Sequence, residues 1–399
     1  MPNQNADPIR AFFKEQAILS HPVLDHPMRR EDEYPRELYL VVLCTAAQYG
    51  ELMTENQAAF LKRLLCSLGM QEELSRYTRL AAQLEEKTAA EFLKTFEDNK
   101  RYVFALDLLI LLGCDGQPKE QKLLFASELL ESLRLTGEEI DYLALLARSV
   151  LEQDDARYKA CSAKAPKTVD LRLLLHYVKE FASGLLMETP QYVYIGGRSQ
   201  KEFVPPVPEG EGWICSSDQV LVEGLQLDLT KRGIRLENNQ RVVFRNCDLV
   251  GGALPITAES LGELRFENCR LRAFSQRVLV LNACSKLAVE NCEFDHCCCE
   301  EAYDAKGGVF LISGTNALII RGCRFKNCTV ESAKGSYSCG AVLFAKQAPA
   351  MAEVSHNAFT SCVCKGYNKQ NKDGGLFFNL PKESVTGSEF IGSNAEPTQ

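Results

Sequence analysis

The chain of 399 residues lacks a long apolar run. Its most apolar stretch, VFALDLLILLG, is interrupted by Asp107 and is shorter than the roughly 20 residues that a membrane-spanning helix needs. The first residues, MPNQNADPIRAFFKEQ, contain no hydrophobic segment of the kind found in secretory signals. The sequence therefore predicts a cytoplasmic protein without a transmembrane segment.

Histidines and recognisable catalytic motifs are also scarce. The chain has five histidines, of which His21 and His26 precede prolines. It contains neither a Walker motif nor the glycine motif of dinucleotide-binding proteins. Nucleophilic and nucleotide-dependent catalysis thus have little support, and a non-enzymatic role is favoured.

Basic residues are fewer than acidic residues. The net charge is −8 and the isoelectric point is about 5.4. Such a balance argues against nonspecific binding to nucleic acids or anionic membranes. We therefore expect no nucleic-acid partner.

A short repeat dominates the second half of the chain, in the segments VVFRNCDL, LRFENCRL, LAVENCEF, LIIRGCRF, AEVSHNAF and ESVTGSEF. The third-from-last positions follow one another at intervals of 22, 23, 31, 34 and 31 residues and are Cys247, Cys269, Cys292, Cys323, Asn357 and Ser388. We call these six positions the cysteine column. A period of this size indicates a stack of similar units, each burying its apolar face against its neighbours.

Each repeat predicts two short strands joined by a bend. Three places before the cysteine column stand Phe244, Phe266, Val289, Ile320, Val354 and Val385, and two places after it stand Leu249, Leu271, Phe294, Phe325, Phe359 and Phe390. These two apolar columns have opposite parity, so one straight strand cannot point both inward. Directly before the cysteine column come residues that tolerate left-handed backbone angles, namely Asn246, Asn268, Asn291, Gly322, His356 and Gly387.

These stacked turns resemble those of parallel β-helices. The resemblance implies a right-handed parallel β-helix over about residues 215–395. Two outward columns contain charges of both signs and predict ladders of cross-strand ion pairs: Asp248, Arg270, Glu293 and Arg324, and Arg245, Glu267, Glu290 and Arg321. The alternative interpretation of these columns is a carboxylate pair for glycoside hydrolysis.

The first half of the chain is helical in pattern. Helices are predicted over 36–49, 54–69, 72–86, 89–98, 100–113, 118–134, 137–153 and 168–186, with 100–113 as the central buried helix. Capping-box spacings mark Thr54, Thr88 and Thr136 as helix starts. The fold class is therefore an all-α bundle joined to a β-helix. We divide the chain into an N-terminal extension (1–34), a helical bundle (35–187), a linker and cap (188–218) and the β-helix (219–399).

Two parts of the bundle share one plan: an apolar helix, a break at Gly50 or Gly116, then a longer amphipathic helix. Over about residues 35–153 this plan resembles the tellurite-resistance TerB-like family. The resemblance implies a bacterial stress response and a metal site on acidic residues, which here are Asp115 and Glu120. The first part departs from the family, because Tyr49 stands where an acid is expected.

The seventeen cysteines offer a second candidate metal site. An odd number of cysteines without a secretory signal favours free thiols over disulfides. We expect Cys269, Cys292 and Cys323 to be buried and stacked. Two further groups could bind zinc, together with His296, because thiolates and imidazoles are its preferred ligands: Cys297, Cys328 and Cys362, and Cys299 and Cys364. The alternative is that these thiols only pack, in which case no cofactor is needed.

The last coils carry insertions at one corner, at 299–307, 329–339 and 363–374. Insertions that leave successive repeats at the same corner lie together, as they do on the binding faces of other stacked repeats. Aromatic and basic residues within them suit a protein or an anionic ligand: Tyr303, Lys306, Lys334, Tyr337, Lys365, Tyr367, Lys369 and Lys372. Ordinary loop drift is the competing explanation.

Three functional hypotheses follow. The first is a non-catalytic scaffold of a bacterial stress-response or envelope-associated system, binding a protein partner through the inserted loops. The second is a carbohydrate-active enzyme acting on a polysaccharide, which rests on analogy between folds. The third is a metal-binding or metal-sensing protein.

Overall fold

The computed structural model describes residues 26–70, 73–116, 118–162, 164–179, 181–182, 184–188, 190–197, 202–334, 338–365 and 375–393. The chain divides into two compact units. The first unit ends at Ala182, and the described residues from Gly184 onward belong to the second.

The first unit is all helical. Its α-helices are α1 (Glu33–Gln48), α2 (Glu55–Ser67), α3 (Leu74–Ala81), α4 (Glu86–Lys94), α5 (Asp98–Gly113), α6 (Glu120–Ser132), α7 (Gly137–Glu152), α8 (Asp155–Ser162) and α9 (Leu175–Val178). Short 3₁₀ turns lie at Pro27–Arg30 and Leu171–Leu173. No helix among the described residues has both the length and the apolar character needed to cross a membrane.

Helix α5 is the centre of this unit, as predicted. It packs against α1, α2 and α7. Most of its side chains are buried, because its sequence is apolar around nearly the whole circumference. The residues before α1 also join the core, since His26 and Met28 are each 1% exposed.

Two of the three predicted helix starts are confirmed. Thr54 and Thr136 each accept a hydrogen bond from the backbone N–H three residues later, and the side chains of Gln57 and Glu139 bond back to them. The prediction for Thr88 is wrong, because α4 already begins at Glu86 and Thr88 lies inside its first turn.

The predicted helix over 168–186 is also wrong. Among the described residues of this range, α9 and the 3₁₀ turn at Leu171–Leu173 are the only helical elements, and Gly184–Glu188 is a strand that pairs antiparallel with Tyr192–Gly196. Gly184 has a φ of +86°, which a right-handed helix does not allow. Helix α8, which the pattern did not predict, precedes this region.

The second unit is a stack of parallel coils. Before the cysteine column, in-register strands form one long sheet: Tyr192–Gly196, Gln219–Glu223, Arg241–Arg245, Ile256–Glu267, Leu279–Glu290, Phe310–Arg321, Met351–Ser355 and Val385–Thr386. After it, a second sheet comprises Glu202–Phe203, Gln226–Asp228, Asp248–Val250, Arg270–Arg272, Glu293–Asp295, Arg324–Lys326, Ala358–Thr360 and Glu389–Ile391.

A third strand position completes the coil and joins the long sheet. It is occupied by Gly212–Cys215 and Gly233–Glu237, by the first residues of the three longest strands, and then by Leu343–Ala345 and Phe377–Phe378. A 3₁₀ turn at Lys382–Ser384 precedes the last coil strands. This stacking of parallel strands is that of a parallel β-helix.

The bends use left-handed residues, as predicted. All six residues directly before the cysteine column have φ between 52° and 65°. Two further left-handed columns, which the sequence analysis missed, mark the other bends of the coil: Asn238, Ser260, Ala283 and Gly314, and Ala273, His296, Asn327, Ser361 and Gly392. Ala and Ser in these columns concealed the pattern, because neither residue favours such angles on its own.

The interior is filled by side chains stacked one coil above another. The rings of Phe325 and Phe294 lie 4.7 Å apart between centroids, and those of Phe325 and Phe359 lie 5.0 Å apart. This spacing matches the separation of about 4.8 Å between neighbouring strands. The inward columns predicted from the repeat are thus confirmed except at the last coil, where Val385 is half-buried and Phe390 is 36% exposed.

The segment predicted as a linker and cap contains strands of the stack. Tyr192–Gly196 pairs in parallel with Gln219–Glu223, and Gly212–Cys215 pairs with Gly233–Glu237. Trp213, in this segment, is 6% exposed and packs edge-on against Phe203. The coils therefore begin before residue 219, because this Gly- and Pro-rich segment still supplies strand-forming runs such as YVYIG.

Candidate functional site

The insertions of the last coils form an added parallel sheet, which we call the lateral sheet. Its strands are Cys298–Glu301, Thr329–Ser332 and Val363–Lys365. Cys299 pairs with Val330, and Val330 with Cys364. A two-stranded sheet, Ala305–Lys306 with Ser338–Cys339, lies next along the chain. The described parts of the predicted loops are therefore largely strands.

Alternation of side chains explains why these insertions fold. Cys299 and Val330 are buried, whereas Glu300 is exposed and Glu331 is half-buried. Lys365 lies in register with Glu331, and its Nζ is 3.6 Å from the Glu331 carboxylate. One apolar and one charged face is the pattern of a sheet covering a core on one side.

The residues predicted to bind a partner have different surroundings. Tyr303 is 67% exposed, and Lys334 is also exposed. Lys306 is half-buried, with its Nζ 5.8 Å from the centroid of the Phe344 ring. Four of the predicted residues lie outside the described part of the chain: Tyr337, Tyr367, Lys369 and Lys372.

The outward charge columns form ion pairs between coils. Arg245 Nε lies 2.8 Å from the Glu267 carboxylate, and Arg321 Nη2 lies 3.0 Å from that of Glu353. Glu267 and Glu290 face each other in register, and Arg265 Nη1 bridges them at 2.9 and 3.2 Å. Ion pairs between coils therefore form as predicted, but the charges do not alternate at Glu267 and Glu290, where Arg265 separates two like charges.

A shallow groove of about 610 Å³ runs along the left-handed turns. It is lined by Cys247, Cys269 and Cys292 of the cysteine column, by the asparagine before each of them and Gly322, and by the charged residues Asp248, Arg270, Glu293 and Arg324. Arg270 Nε is 3.9 Å from the Glu293 carboxylate, and Arg272 Nε is 3.1 Å from that of Asp248. The carboxylates along this groove are thus neutralised by arginines.

The carboxylates of Glu263 and Glu267, on a neighbouring strand, are also neutralised by basic side chains. Burial opposes ionisation of Glu267, but hydrogen bonds from Arg265 and Arg245 lower the pKa of its carboxyl group. Lys286, Arg265 and Arg241 likewise lower the pKa of Glu263 against the effect of burial. A general acid for glycoside hydrolysis needs a raised pKa instead. These carboxylates are suited to holding coils together.

The cysteines of the candidate zinc site lie in columns, not around one point. Cys328 contacts Cys297 in one neighbouring coil and Cys362 in the other. Burial raises the pKa of the Cys328 thiol, and it raises those of Cys299 and Cys364 to about 12. His296 is two-thirds exposed and pairs with Asp295 at 2.7 Å.

Asp115 and Glu120 occupy the turn before α6 and the first position of that helix. The Asp115 carboxylate accepts hydrogen bonds from the hydroxyl of Thr54 and, at 2.8 Å, from the amide of Asn56. Glu120 is exposed in the first turn of α6, where a negative charge is favourable. Glu51, in the connection between α1 and α2, is 2.9 Å from Lys119 and 3.0 Å from Lys122. Asp115 therefore ties two helix starts together.

A buried polar cluster in the helical unit escaped the sequence analysis. We call it the Asp107 cluster, and its members are His26, Tyr39, Asp107, His176 and Tyr177. Asp107 Oδ2 accepts hydrogen bonds from Tyr39 at 2.6 Å and from His26 Nε2 at 3.1 Å, and its Oδ1 accepts one from Tyr177 at 2.8 Å. None of the five side chains is more than 4% exposed.

The second histidine of the cluster differs from the first. His176 Nδ1 lies 2.7 Å from the carbonyl oxygen of Leu173, and its buried Nε2 has no hydrogen-bond partner among the described residues. Burial lowers the pKa of His176 to about 3, so this ring is neutral. Burial opposes ionisation of Asp107, but hydrogen bonds from His26 and the Tyr39 hydroxyl lower its pKa.

One sequence signal could have located this cluster. Asp107 stands alone in the apolar run of α5, and a buried carboxylate requires partners. Its partners come from 81 residues before it and 70 residues after it, so no local pattern identifies them.

Comparison with known proteins agrees with the architecture of the second unit. Residues 214–378 match a protein-family model described as "Right handed beta helix region". The second unit is therefore a right-handed parallel β-helix, preceded by an all-α unit. Searches of the curated proteins and of the solved structures found no match to this chain.

Proposed function

We propose that this protein is a non-catalytic scaffold whose β-helix binds a protein partner through the lateral sheet and the turns that leave it. The observation that carries the proposal is the register of that sheet. Because its strands stack coil on coil, the described residues that follow the first two strands, 302–304 and 333–334, lie side by side. The backbone N–H of Lys334 bonds to the carbonyl of Ala302 at 2.9 Å, which ties two of these segments together.

The chemistry of this surface suits a protein with acidic and aromatic groups. Tyr303 presents an exposed ring, and Lys334 adds a positive charge next to it along the stack. Aromatic side chains contribute large contact areas at interfaces. An anionic ligand is the alternative occupant that the lysines of these segments could attract.

We infer the cellular role of this scaffold from its helical unit. Its resemblance to TerB-like proteins over about residues 35–153 supports a role in a bacterial stress-response or envelope-associated system. Thirteen of the seventeen cysteines are buried as free thiols, which suits a reducing compartment such as the cytoplasm.

The other two hypotheses receive less support. A polysaccharide-cleaving enzyme needs a carboxyl group with a raised pKa, whereas Glu263 and Glu267 have lowered values. A metal sensor built on Asp115 needs carboxylate oxygens that are free, and here both oxygens accept hydrogen bonds.

Site-specific photo-crosslinking in the native host tests the proposal. A photoreactive phenylalanine analogue at position 303 should give a discrete crosslinked partner, and Tyr303→Ala should lower capture of that partner severalfold. The matched control is position 34, where the tyrosine is 70% exposed but belongs to the helical unit. Equal crosslinking from both positions, or turnover of an anionic polysaccharide by the purified protein, would refute the proposed role.

A further inference from the structure

The Asp107 cluster contains more hydrogen-bond acceptors than donors. A carboxylate offers about four lone-pair positions, and three are used by Tyr39, Tyr177 and His26. His176 adds a buried Nε2 without a partner. Buried acceptors that lack a donor cost free energy unless water or a cation satisfies them.

The three side chains that could ligate a metal ion lie close together. His26, Asp107 and His176 each bring one nitrogen or oxygen atom to within 4.8 Å of the other two. Within the described chain this is the one group of three or more His, Cys, Asp or Glu residues that meets this condition. Two imidazoles and a carboxylate are a ligand set that suits zinc.

We propose that His26, Asp107 and His176 form a buried binding site for one divalent transition-metal ion, with Zn²⁺ as its occupant. His176 has the tautomer that ligation requires, because its Nδ1–H donates to the carbonyl of Leu173 and leaves Nε2 with a lone pair. A backbone carbonyl holding the other nitrogen is a common arrangement around ligating histidines. The site is separate from the lateral sheet and from the function proposed for it.

Metal binding requires one rearrangement at His26. Its Nε2–H donates to Asp107, and its Nδ1 accepts from the backbone N–H of Met28 at 3.2 Å. Ligation through Nε2 moves that proton to Nδ1, so the number of protons on the ring is unchanged. The Met28 N–H then loses its acceptor. Tyr39 and Tyr177 keep their bonds to Asp107 and orient its carboxylate.

The consequence is a link between metal binding and the fold of the helical unit. His26 precedes the first 3₁₀ turn, Asp107 lies in α5 and His176 in α9. An ion bound by all three connects segments from both ends of this unit to its centre. Binding to the folded state alone would stabilise that state.

Cobalt titration of the reduced full-length chain tests this site. We expect one equivalent of Co²⁺ with the visible bands of nitrogen and oxygen ligation, and without the sulfur-to-metal charge transfer that the cysteines would produce. His176→Gln should weaken binding at least tenfold. The matched control His356→Gln changes an exposed histidine of the β-helix and should bind as the unchanged protein does.

Three results would overturn the proposal: no stoichiometric binding, a spectrum dominated by sulfur ligation, or equal affinity in His176→Gln. Should that variant fail to fold, ¹⁵N resonances of the histidine rings in the unchanged protein decide the question. Zn²⁺ must shift those of both His26 and His176. Unchanged ring resonances would mean that the cluster is held by hydrogen bonds and water only.

Discussion

At the scale of single residues, burial governs the chemistry of the thiols. Cys269, Cys292 and Cys323 are at most 3% exposed, and the Sγ atoms of Cys292 and Cys323 each accept a hydrogen bond from the backbone N–H of the preceding cysteine in the column. Their burial and stacking are as predicted. In this setting cysteine acts as a small apolar residue that fits the bend of the coil.

Thiol labelling should therefore divide the cysteines into two classes. In the folded protein, an alkylating reagent should modify the half-buried Cys66, Cys114, Cys298 and Cys364 first, and the three column cysteines only after unfolding. Peptide mapping over time measures the rates. Modification of Cys269, Cys292 and Cys323 at the rate of Cys66 would contradict the packing described above.

A second residue-scale prediction concerns Glu139 in the capping box of α7. Burial opposes its ionisation, but the backbone N–H of Thr136 and the hydroxyls of Thr168 and Tyr102 lower its pKa to about 2. The folded value lies below the unfolded one, so the ionised group stabilises the protein at neutral pH. That contribution is lost as the pH falls from about 4 to about 2.

Glu139→Gln should lower the free energy of unfolding by about 2 kcal/mol at neutral pH, which is the scale of hydrogen bonds to a charged group. The difference from the unchanged protein should shrink at acidic pH. Urea unfolding followed by the helical circular dichroism signal measures it, with the exposed Glu138→Gln as control. A difference that does not vary with pH would contradict the assignment.

At the scale of elements, the left-handed turn decides where each coil bends. Asn268 has a φ of +52°, and its side-chain amide donates to the Asn246 side chain at 3.3 Å. A β-branched residue at such an angle costs about 1–2 kcal/mol, while glycine adopts it freely. The stacked asparagines thus combine a tolerated backbone angle with a hydrogen bond between coils.

Substitutions at Asn268 separate these two contributions. Asn268→Gly removes only the side-chain hydrogen bond, whereas Asn268→Val also strains the turn and should cost about 1–2 kcal/mol more. Trp213 is the sole tryptophan and belongs to the β-helix, so its fluorescence follows unfolding of that unit. Equal stability of the two variants would show that the left-handed backbone angle does not restrict which residue can occupy position 268.

At the scale of the whole molecule, stability should vary along the stack. Phe325 lies between two stacked rings and is 1% exposed, whereas Phe390 at the last coil is 36% exposed. Each coil is stabilised by contacts with its neighbours. A substitution in an inner coil, which has two neighbours, should therefore lower the free energy of unfolding more than one in the last coil.

Phe325→Ala should therefore lower the free energy of unfolding of the β-helix by about 3–5 kcal/mol. Phe390→Ala, which removes the same ring from the last coil, should cost about 1 kcal/mol by the same scale reduced for exposure. Chemical unfolding followed by Trp213 fluorescence compares the two variants. Similar losses of unfolding free energy in the two variants would mean that the contribution of a ring does not depend on its position in the stack.

The sequence alone determined the register of the β-helix. Alternation of apolar residues and tolerance of left-handed angles are local properties, and each coil repeats them within a few residues of the cysteine column. The same reasoning predicted the stacked phenylalanines, the ion pairs between coils and two of the capping boxes. It did not predict α8 or the strand at Gly184–Glu188, because neither has a strong periodic signal.

Only the tertiary structure decided what the non-repeating residues do. The Asp107 cluster brings together His26, Asp107 and His176 from distant parts of the chain. A carboxylate in an apolar helix indicates that polar partners exist, but it does not identify which residues they are. The inserted segments became the lateral sheet because neighbouring coils offered in-register backbone partners. Such contacts depend on the path of the whole chain, so they cannot be identified from residue spacings in the sequence.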